Sequence, residues 1–93
     1  MTFKLKIPHE TADLIKNLHP ELKSRVKKAL QSILSDPYSG KALKDELKGL
    51  RSFRVRRFRL IYRLSSKTII ELITIGPRKN IYEETFRLIG KDD

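Results

Sequence analysis

The sequence predicts one α+β domain, built on a small, twisted and mostly antiparallel sheet with two helices on one face and a C-terminal helix. Three observations predict this fold. The chain opens with a period-two alternation of apolar residues, a long helical pattern begins at Pro20, and adjacent strand patterns occupy the second half. With 93 residues, the chain has room for a single domain spanning residues 1–93.

The first strand is predicted at residues 3–7, where Phe, Leu and Ile alternate with polar residues. A helix is expected over about residues 9–18. A longer helix begins at Pro20, because proline is favoured in the first helical turn, and Asp36 precedes the proline that stops it. The apolar faces of these two helices comprise Ala12, Ile15 and Leu18 in the first, and Leu22, Val26, Ala29, Leu30, Ile33 and Leu34 in the second.

A loop is predicted over residues 37–50, in which 42–48 could form a helical turn. Residues 51–64 then resemble a β-hairpin with a two-residue turn at Arg56-Arg57. In that register three cross-strand pairs form: Val55 with Phe58, Arg54 with Arg59, and Phe53 with Leu60. One face of the hairpin then carries Phe53, Val55, Phe58, Leu60 and Tyr62, and the other carries Ser52, Arg54, Arg59, Ile61 and Arg63.

The next strand is predicted from Ile69 to Ile75, and its apolar residues on both faces favour a central position in the sheet. Glu71 is the one carboxylate in this segment, and we expect it to pair with a hairpin arginine. Asn80 with Glu83 resembles a capping box that opens the last helix. The predicted order of elements is therefore β-α-α-β-β-β-α.

The charge of the chain is strongly positive, at +10. Eight of the nine arginines fall after residue 50, so the hairpin half is the arginine-rich half. Arginine presents a planar fork that suits bidentate phosphate contacts, and this clustering indicates a nucleic-acid ligand.

Composition excludes several kinds of site. The chain has no cysteine, which excludes disulfides and thiolate chemistry, and its two histidines have no partner at metal-site spacing. No apolar run near the start is long enough for export or a membrane span. We therefore expect no metal, no cofactor and no membrane association, and a cytoplasmic location.

Three features of the sequence each leave two interpretations open. Arg54 and Arg59, opposed on one face, form either a solvated basic edge or an anion site. Arg78, just after the strand end, is either a charged turn residue or a functional one, and Tyr82 is either a buried or interface aromatic or a stacking surface for a base. No Ser/His/Asp set or carboxylate pair is present at catalytic spacing, so an enzyme built on these residues would rely on positioning and on charge stabilisation.

Two runs resemble the RelE/ParE superfamily of prokaryotic type II toxins: Arg-Phe-Arg-Leu-Ile-Tyr at 57–62 and Gly-Pro-Arg-Lys-Asn-Ile-Tyr at 76–82. The resemblance extends over about residues 3–88, and the second run is more similar to the RelE branch. RelE toxins are ribosome-dependent endoribonucleases that cut mRNA in the A site and so inhibit translation. The resemblance implies this activity here, together with a separate antitoxin protein as partner.

The resemblance also implies site residues. Arg54, Arg59, Arg78 and Tyr82 match positions that orient the scissile phosphate, favour attack by the 2′-hydroxyl and stack a base. Ser52 stands where RelE toxins have a second basic residue. This chain has arginines where RelE toxins have lysines, and arginine makes a poor general base. The neighbouring basic residues are assigned to RNA binding on the same grounds: Arg51, Arg56, Arg57, Arg63 and Lys79.

Two alternatives remain open at this point. A ParE-like protein would share the fold but inhibit DNA gyrase, without RNA chemistry. A third possibility is an inactive, toxin-like scaffold that binds nucleic acid.

Overall fold

The computed structural model describes residues 2–90, and within them three helices and five strands form one α+β unit. Their bounds are β1 (Lys4–Lys6), α1 (His9–Lys16), α2 (Pro20–Ser35), β2 (Lys41–Ala42), β3 (Arg51–Val55), β4 (Phe58–Leu64), β5 (Ile69–Pro77) and α3 (Arg78–Gly90). A single 3₁₀ turn at Asp45–Leu47 interrupts the connection between β2 and β3. The α+β class predicted from the sequence is confirmed.

The strands form one mixed sheet in the order β1-β5-β4-β3-β2. Only β1 and β5 run parallel, and every other neighbouring pair is antiparallel. The long strand β5 therefore lies inside the sheet, as its two-sided apolar pattern predicts. The short strand β2 forms an edge.

The two early helices cover one face of the sheet. The apolar stripe of α2 packs on inward-facing residues of β3, β4 and β5 because both surfaces lose water on contact. The buried members of this core are Val26, Ala29, Leu30, Ile33, Val55, Leu60, Tyr62, Ile70, Leu72 and Ile75.

Helix α3 lies on the opposite face, where a smaller core forms around Leu50, Ile61 and Ile81. A bulge in β5 helps to build it. Ile61 pairs with Thr74 and Tyr62 with Leu72, so Ile73 is the extra residue of β5. Ile73 consequently packs against this smaller core, while Leu72 stays in the larger one.

Three details differ from the sequence-based expectation. Helix α1 buries Thr11 and exposes Ala12, because the Thr11 hydroxyl donates a 2.9 Å hydrogen bond to the carbonyl of Ile73. Strand β2 was not expected, since two residues are too short to show alternation. Helix α3 begins at Arg78 directly after β5, which makes the predicted capping box at Asn80 wrong.

Candidate nucleic-acid interface

The predicted hairpin register is confirmed. Val55 pairs with Phe58 and Arg54 with Arg59, around the two-residue turn. Arg59 also pairs with Gly76 of β5, so Arg54, Arg59 and Gly76 form one row across three strands, on the sheet face that α3 covers. The apolar residues of the hairpin pack in the larger core on the other face.

Gly76 lets α3 approach this row closely. A Cβ atom at Gly76 would lie 3.1 Å from Cδ1 of Ile81, a buried residue of α3. The glycine therefore brings the first turns of α3 beside the two arginines. The positive end of the helix dipole lies at the same place, which adds to the attraction for anions.

A basic groove follows the arginine row. Two adjoining depressions of about 600 and 610 Å³ make up the groove, and Arg54, Arg59 and Tyr82 line both of them. The other lining residues are Arg56, Arg57, Pro77 and Lys79 toward the hairpin turn, and Lys41, Ala42, Leu43, Lys44 and Ser52 toward the edge strand. All the charged groups among these described residues are cations.

Among the described residues, the two opposed arginines contact the protein backbone only at long distances. Arg54 Nε lies 3.4 Å from the carbonyl of Arg56, and Arg59 Nη1 lies 3.5 Å from the carbonyl of Phe58. Both distances are near the limit for a hydrogen bond, so these contacts hold the guanidinium groups weakly. Two like charges in register also repel each other. A phosphate placed between them would relieve this repulsion and accept their hydrogen bonds.

Tyr82 provides an aromatic wall for the groove. It lies on α3 with 37% of its surface exposed, between the hairpin side and the edge-strand side of the groove. An exposed aromatic ring next to cations can stack on a nucleic-acid base, whatever the base identity.

The hairpin turn carries backbone strain. Arg56 adopts a φ of +55°, in the left-handed region that costs an L residue about 1–2 kcal/mol. Its side chain reaches back to Glu21 of α2, at 3.7 Å between Nη2 and Oε1. Strain of this kind clusters at functional sites, and here an arginine occupies a turn position at which a glycine would usually stand.

Two arginines assigned to RNA binding lie outside the basic groove. Arg51 Nη1 donates to the carbonyls of Gly40 at 2.7 Å and Tyr38 at 3.2 Å, and its guanidinium lies 4.9 Å from the Tyr38 ring centroid. Arg63 Nε pairs with Glu71 Oε1 at 2.8 Å, which confirms the predicted ion pair. Both side chains already hold parts of the fold together.

Of the remaining predicted residues, Arg56, Arg57, Arg59 and Lys79 meet Arg54 and Tyr82 in the groove. Arg78 is the first residue of α3, and its side chain lies outside what the structure describes. Sequence reasoning did not assign Lys41 or Lys44 to the site, and it named Ser52 only as the residue that stands in place of a second basic one. The pairing of Lys41 with Ser52 brings this edge into the groove, and a two-residue strand leaves no pattern that predicts it.

The described range holds neither a cluster of metal ligands nor a membrane-spanning helix. No group of three or more His, Cys, Asp or Glu residues there could hold a metal ion. No helix in residues 2–90 has the length and apolar character needed to cross a bilayer.

Comparison with known proteins identifies relatives. The structure is similar to a mutant of the E. coli toxin RelE in the free state, at 19% identity and a TM-score of 0.78, covering 99% of this chain and 98% of that one. It is also similar to the toxin-antitoxin complex RelBE2 from Mycobacterium tuberculosis, at 23% identity, a TM-score of 0.73, and 84% and 100% coverage.

A third similar structure is the archaeal RelE-RelB complex from Pyrococcus horikoshii OT3, at 22% identity and a TM-score of 0.68, covering 84% of this chain and 97% of that chain. At these identities the likeness establishes the RelE fold. A search of curated protein sequences returns no match. The family model described as "ParE-like toxin of type II bacterial toxin-antitoxin system" matches residues 5–85. The chain therefore belongs to the ParE-like toxin family of the RelE/ParE superfamily.

Proposed function

We propose that this toxin is a ribosome-dependent endoribonuclease that cleaves mRNA. One observation carries the proposal: two arginines, Arg54 and Arg59, lie directly opposed beside an exposed tyrosine in a groove lined by cations. A scissile phosphate between the arginines and a base stacked on the exposed face of Tyr82 would engage all three side chains.

The reaction that fits this groove is an internal phosphoryl transfer. The 2′-hydroxyl of the RNA loses its proton to solvent as its oxygen forms a bond to the adjacent phosphorus. The bond from phosphorus to the 5′-oxygen of the next nucleotide breaks, and that oxygen takes up a proton from solvent. The products are a 2′,3′-cyclic phosphate and a 5′-hydroxyl. Arg54 and Arg59 would stabilise the charge that builds on the phosphoryl oxygens in the transition state.

The groove lacks an ordinary general base among its described residues. Its ionisable groups are arginines, lysines and one tyrosine, and arginine stays protonated throughout the physiological range. The rate enhancement would therefore come mainly from positioning the 2′-hydroxyl in line and from the electrostatics of the groove. Arg78, at the start of α3, is proposed as a further phosphate ligand on the resemblance to RelE toxins.

We also propose an acidic antitoxin as protein partner. Two of the similar structures are toxin-antitoxin complexes. A net charge of +10 would attract an acidic wrapping segment and accelerate its association.

Gyrase inhibition is the second candidate, because the matching family model is named for ParE. Such a toxin would need a surface that binds a protein target, and it would not need a site that holds an RNA phosphate for cleavage. The basic groove favours the ribonuclease.

The test is single-turnover mRNA cleavage on translating ribosomes, compared with plasmid supercoiling by gyrase. The wild type should cut mRNA, and Arg59→Gln should lower the rate about 10²–10³-fold, as the loss of one transition-state donor does. The Arg59→Gln protein should melt at the wild-type temperature or slightly above it, since a repulsive pair is removed.

Arg87→Gln is the matched control, because it removes the same charge from an exposed position on α3 outside the groove, where Arg87 pairs with Glu84. It should cleave like the wild type. Blocked supercoiling with intact mRNA would establish the gyrase alternative. Activity in neither assay would leave the inactive scaffold as the remaining interpretation.

A further inference from the structure

We propose that Ser52, Lys41 and Lys44 form a second phosphate subsite in the basic groove, one nucleotide away from the phosphate held by Arg54 and Arg59. The proposal rests on the proposed function, because its ligand is the backbone of single-stranded RNA. These three residues lie at the edge-strand end of the groove, away from the hairpin turn.

The observation behind it is the hydroxyl of Ser52. This residue is only 6% exposed, and its Oγ is buried without a hydrogen-bond partner among the residues that the structure describes. A buried hydroxyl left unpaired has a free-energy cost, and native proteins retain few of them. Ser52 lines the groove next to Arg54 and Arg59, which indicates an external acceptor as its partner.

The two lysines determine the kind of acceptor. Lys41 pairs with Ser52 in the β2–β3 register, so their side chains are neighbours on the same face of the sheet. Lys44 lines the same end of the groove, and both lysines are exposed. A hydroxyl donor beside two ammonium groups matches an anion, and lysine binds phosphate as a mobile point charge.

The sheet geometry separates the two subsites by about one nucleotide. Ser52 and Arg54 are two residues apart on β3 and share a face, and two residues of a strand span about 7 Å. Neighbouring phosphates along a nucleotide strand have a similar separation. A chain lying along the groove could therefore present one phosphate to the Arg54–Arg59 row and the next to the Lys41–Ser52 row.

Ser52 Oγ is itself buried, so a phosphate can reach it only after neighbouring residues of the groove have moved. The charged residues that line this end of the groove are lysines and arginines, whose long side chains change rotamer readily and follow an incoming anion. The subsite would then form as the phosphate enters, with the Ser52 hydroxyl donating to a phosphate oxygen.

The test uses two non-cleavable probes, a 2′-O-methyl RNA dinucleotide with one phosphodiester and a trinucleotide with two. Binding to the full chain is measured by titration, at two salt concentrations. Wild type should bind the trinucleotide more tightly. Ser52→Ala should lower trinucleotide affinity about tenfold, equivalent to the loss of one hydrogen bond to a charged group, and leave dinucleotide affinity unchanged.

Lys41→Gln with Lys44→Gln should weaken trinucleotide binding and reduce its salt dependence. The matched control is Lys16→Gln with Lys27→Gln, which removes the same charge from exposed helix positions and should change neither property. Ser24→Ala, exposed on α2, is the control for the serine change. Ser52→Ala should melt at the wild-type temperature or slightly above it, because the buried hydroxyl has no partner to lose and its own burial has a free-energy cost.

Unchanged trinucleotide affinity in Ser52→Ala and in the double lysine variant would overturn the subsite. A large fall in melting temperature for Ser52→Ala, without a change in binding, would do the same and make the hydroxyl structural. The two proposals fail separately. Loss of binding in Arg59→Gln with no effect of Ser52→Ala removes the subsite alone, whereas Ser52-dependent binding without mRNA cleavage on ribosomes removes the ribonuclease alone.

Discussion

The amide nitrogen of Gly40 donates a 2.9 Å hydrogen bond to the hydroxyl of Tyr62, and a Cβ atom at Gly40 would lie only 2.5 Å from that oxygen. The same hydroxyl donates to the carbonyl of Pro37 at 2.7 Å. Tyr62 therefore fastens the loop that leads from α2 to β2, and this loop positions the edge strand of the basic groove.

Gly40→Ala should destabilise the fold by about 1–3 kcal/mol, the usual cost of overpacking a filled space. The added methyl group must push the Tyr62 ring or the loop away. Gly49→Ala is the contrasting substitution. A Cβ there meets nothing within 4 Å, so any cost comes from the backbone, whose φ of +96° is strained for residues other than glycine. Urea unfolding of both variants measures the costs, and equal m-values would show that the unfolded states are comparable.

The free energy of unfolding should fall at alkaline pH because Tyr62 then ionises. Burial raises the pKa of Tyr62 above its ordinary value of 10.0, and outweighs the Gly40 amide, which favours the phenolate. Between the unfolded and the folded pKa, the folded state binds more protons, so the free energy of unfolding falls as pH rises. The contribution is fully present below about pH 10 and is lost above it.

The measurement compares wild type with Tyr62→Phe, by urea unfolding from pH 8 to pH 11. The variant should be less stable at pH 8 by about 1–3 kcal/mol, because Gly40 and Pro37 lose a hydrogen-bond partner. The difference between the two proteins should narrow as pH rises above 10. A constant difference across this range would contradict the raised pKa.

Core substitutions in the hairpin should lower the free energy of unfolding more where the side chain is more deeply buried. Leu60 is fully buried, so Leu60→Ala should cost about 2–5 kcal/mol through the lost contacts and the cavity. Phe58 is only half-buried at the start of β4, so Phe58→Ala should cost less than Leu60→Ala. Thermal unfolding measures both, and the reverse order would show that the hairpin tip contributes more to the core than its burial indicates.

Periodicity predicted the helices and the hairpin because each buries one regular stripe or face, and the apolar residues on both faces of β5 predicted the interior strand. It failed where a side-chain contact overrides the pattern. Thr11 is buried instead of Ala12 because its hydroxyl reaches the Ile73 carbonyl, a contact between residues 62 positions apart. The bulge at Ile73 similarly depends on pairing between strands, which no local signal contains.

In the candidate site, too, the local features follow from the sequence, and the features that depend on distant residues do not. The hairpin register places Arg54 and Arg59 together, and it follows from the sequence because a two-residue turn fixes every pair of the hairpin. The separate roles of Arg51 and Arg63 depend on a loop and on a strand that are distant in sequence. The Lys41 edge of the groove likewise required the long-range pairing of β2 with β3.

Tyr82 offers the sharpest test of how the groove acts on RNA. Tyr82→Phe keeps an aromatic ring and removes the hydroxyl, whereas Tyr82→Ala removes both. Stacking needs only the ring, so the phenylalanine variant should cleave mRNA on ribosomes within about tenfold of wild type, and the alanine variant should fall well below it. A hydroxyl that transferred a proton would instead make both variants equally slow.

Phe86→Ala is the control, because Phe86 lies one helical turn further along α3, is 54% exposed, and lies outside the residues that line the groove. Its cleavage rate should match the wild type, since an exposed ring away from the groove has no base to stack on. The quantity measured is the single-turnover rate of mRNA cleavage at saturating toxin, so that weaker binding is not mistaken for a slower reaction. A Phe86→Ala defect as large as that of Tyr82→Ala would mean that α3 binds the ribosome over its whole exposed face, and that Tyr82 holds no base in the groove.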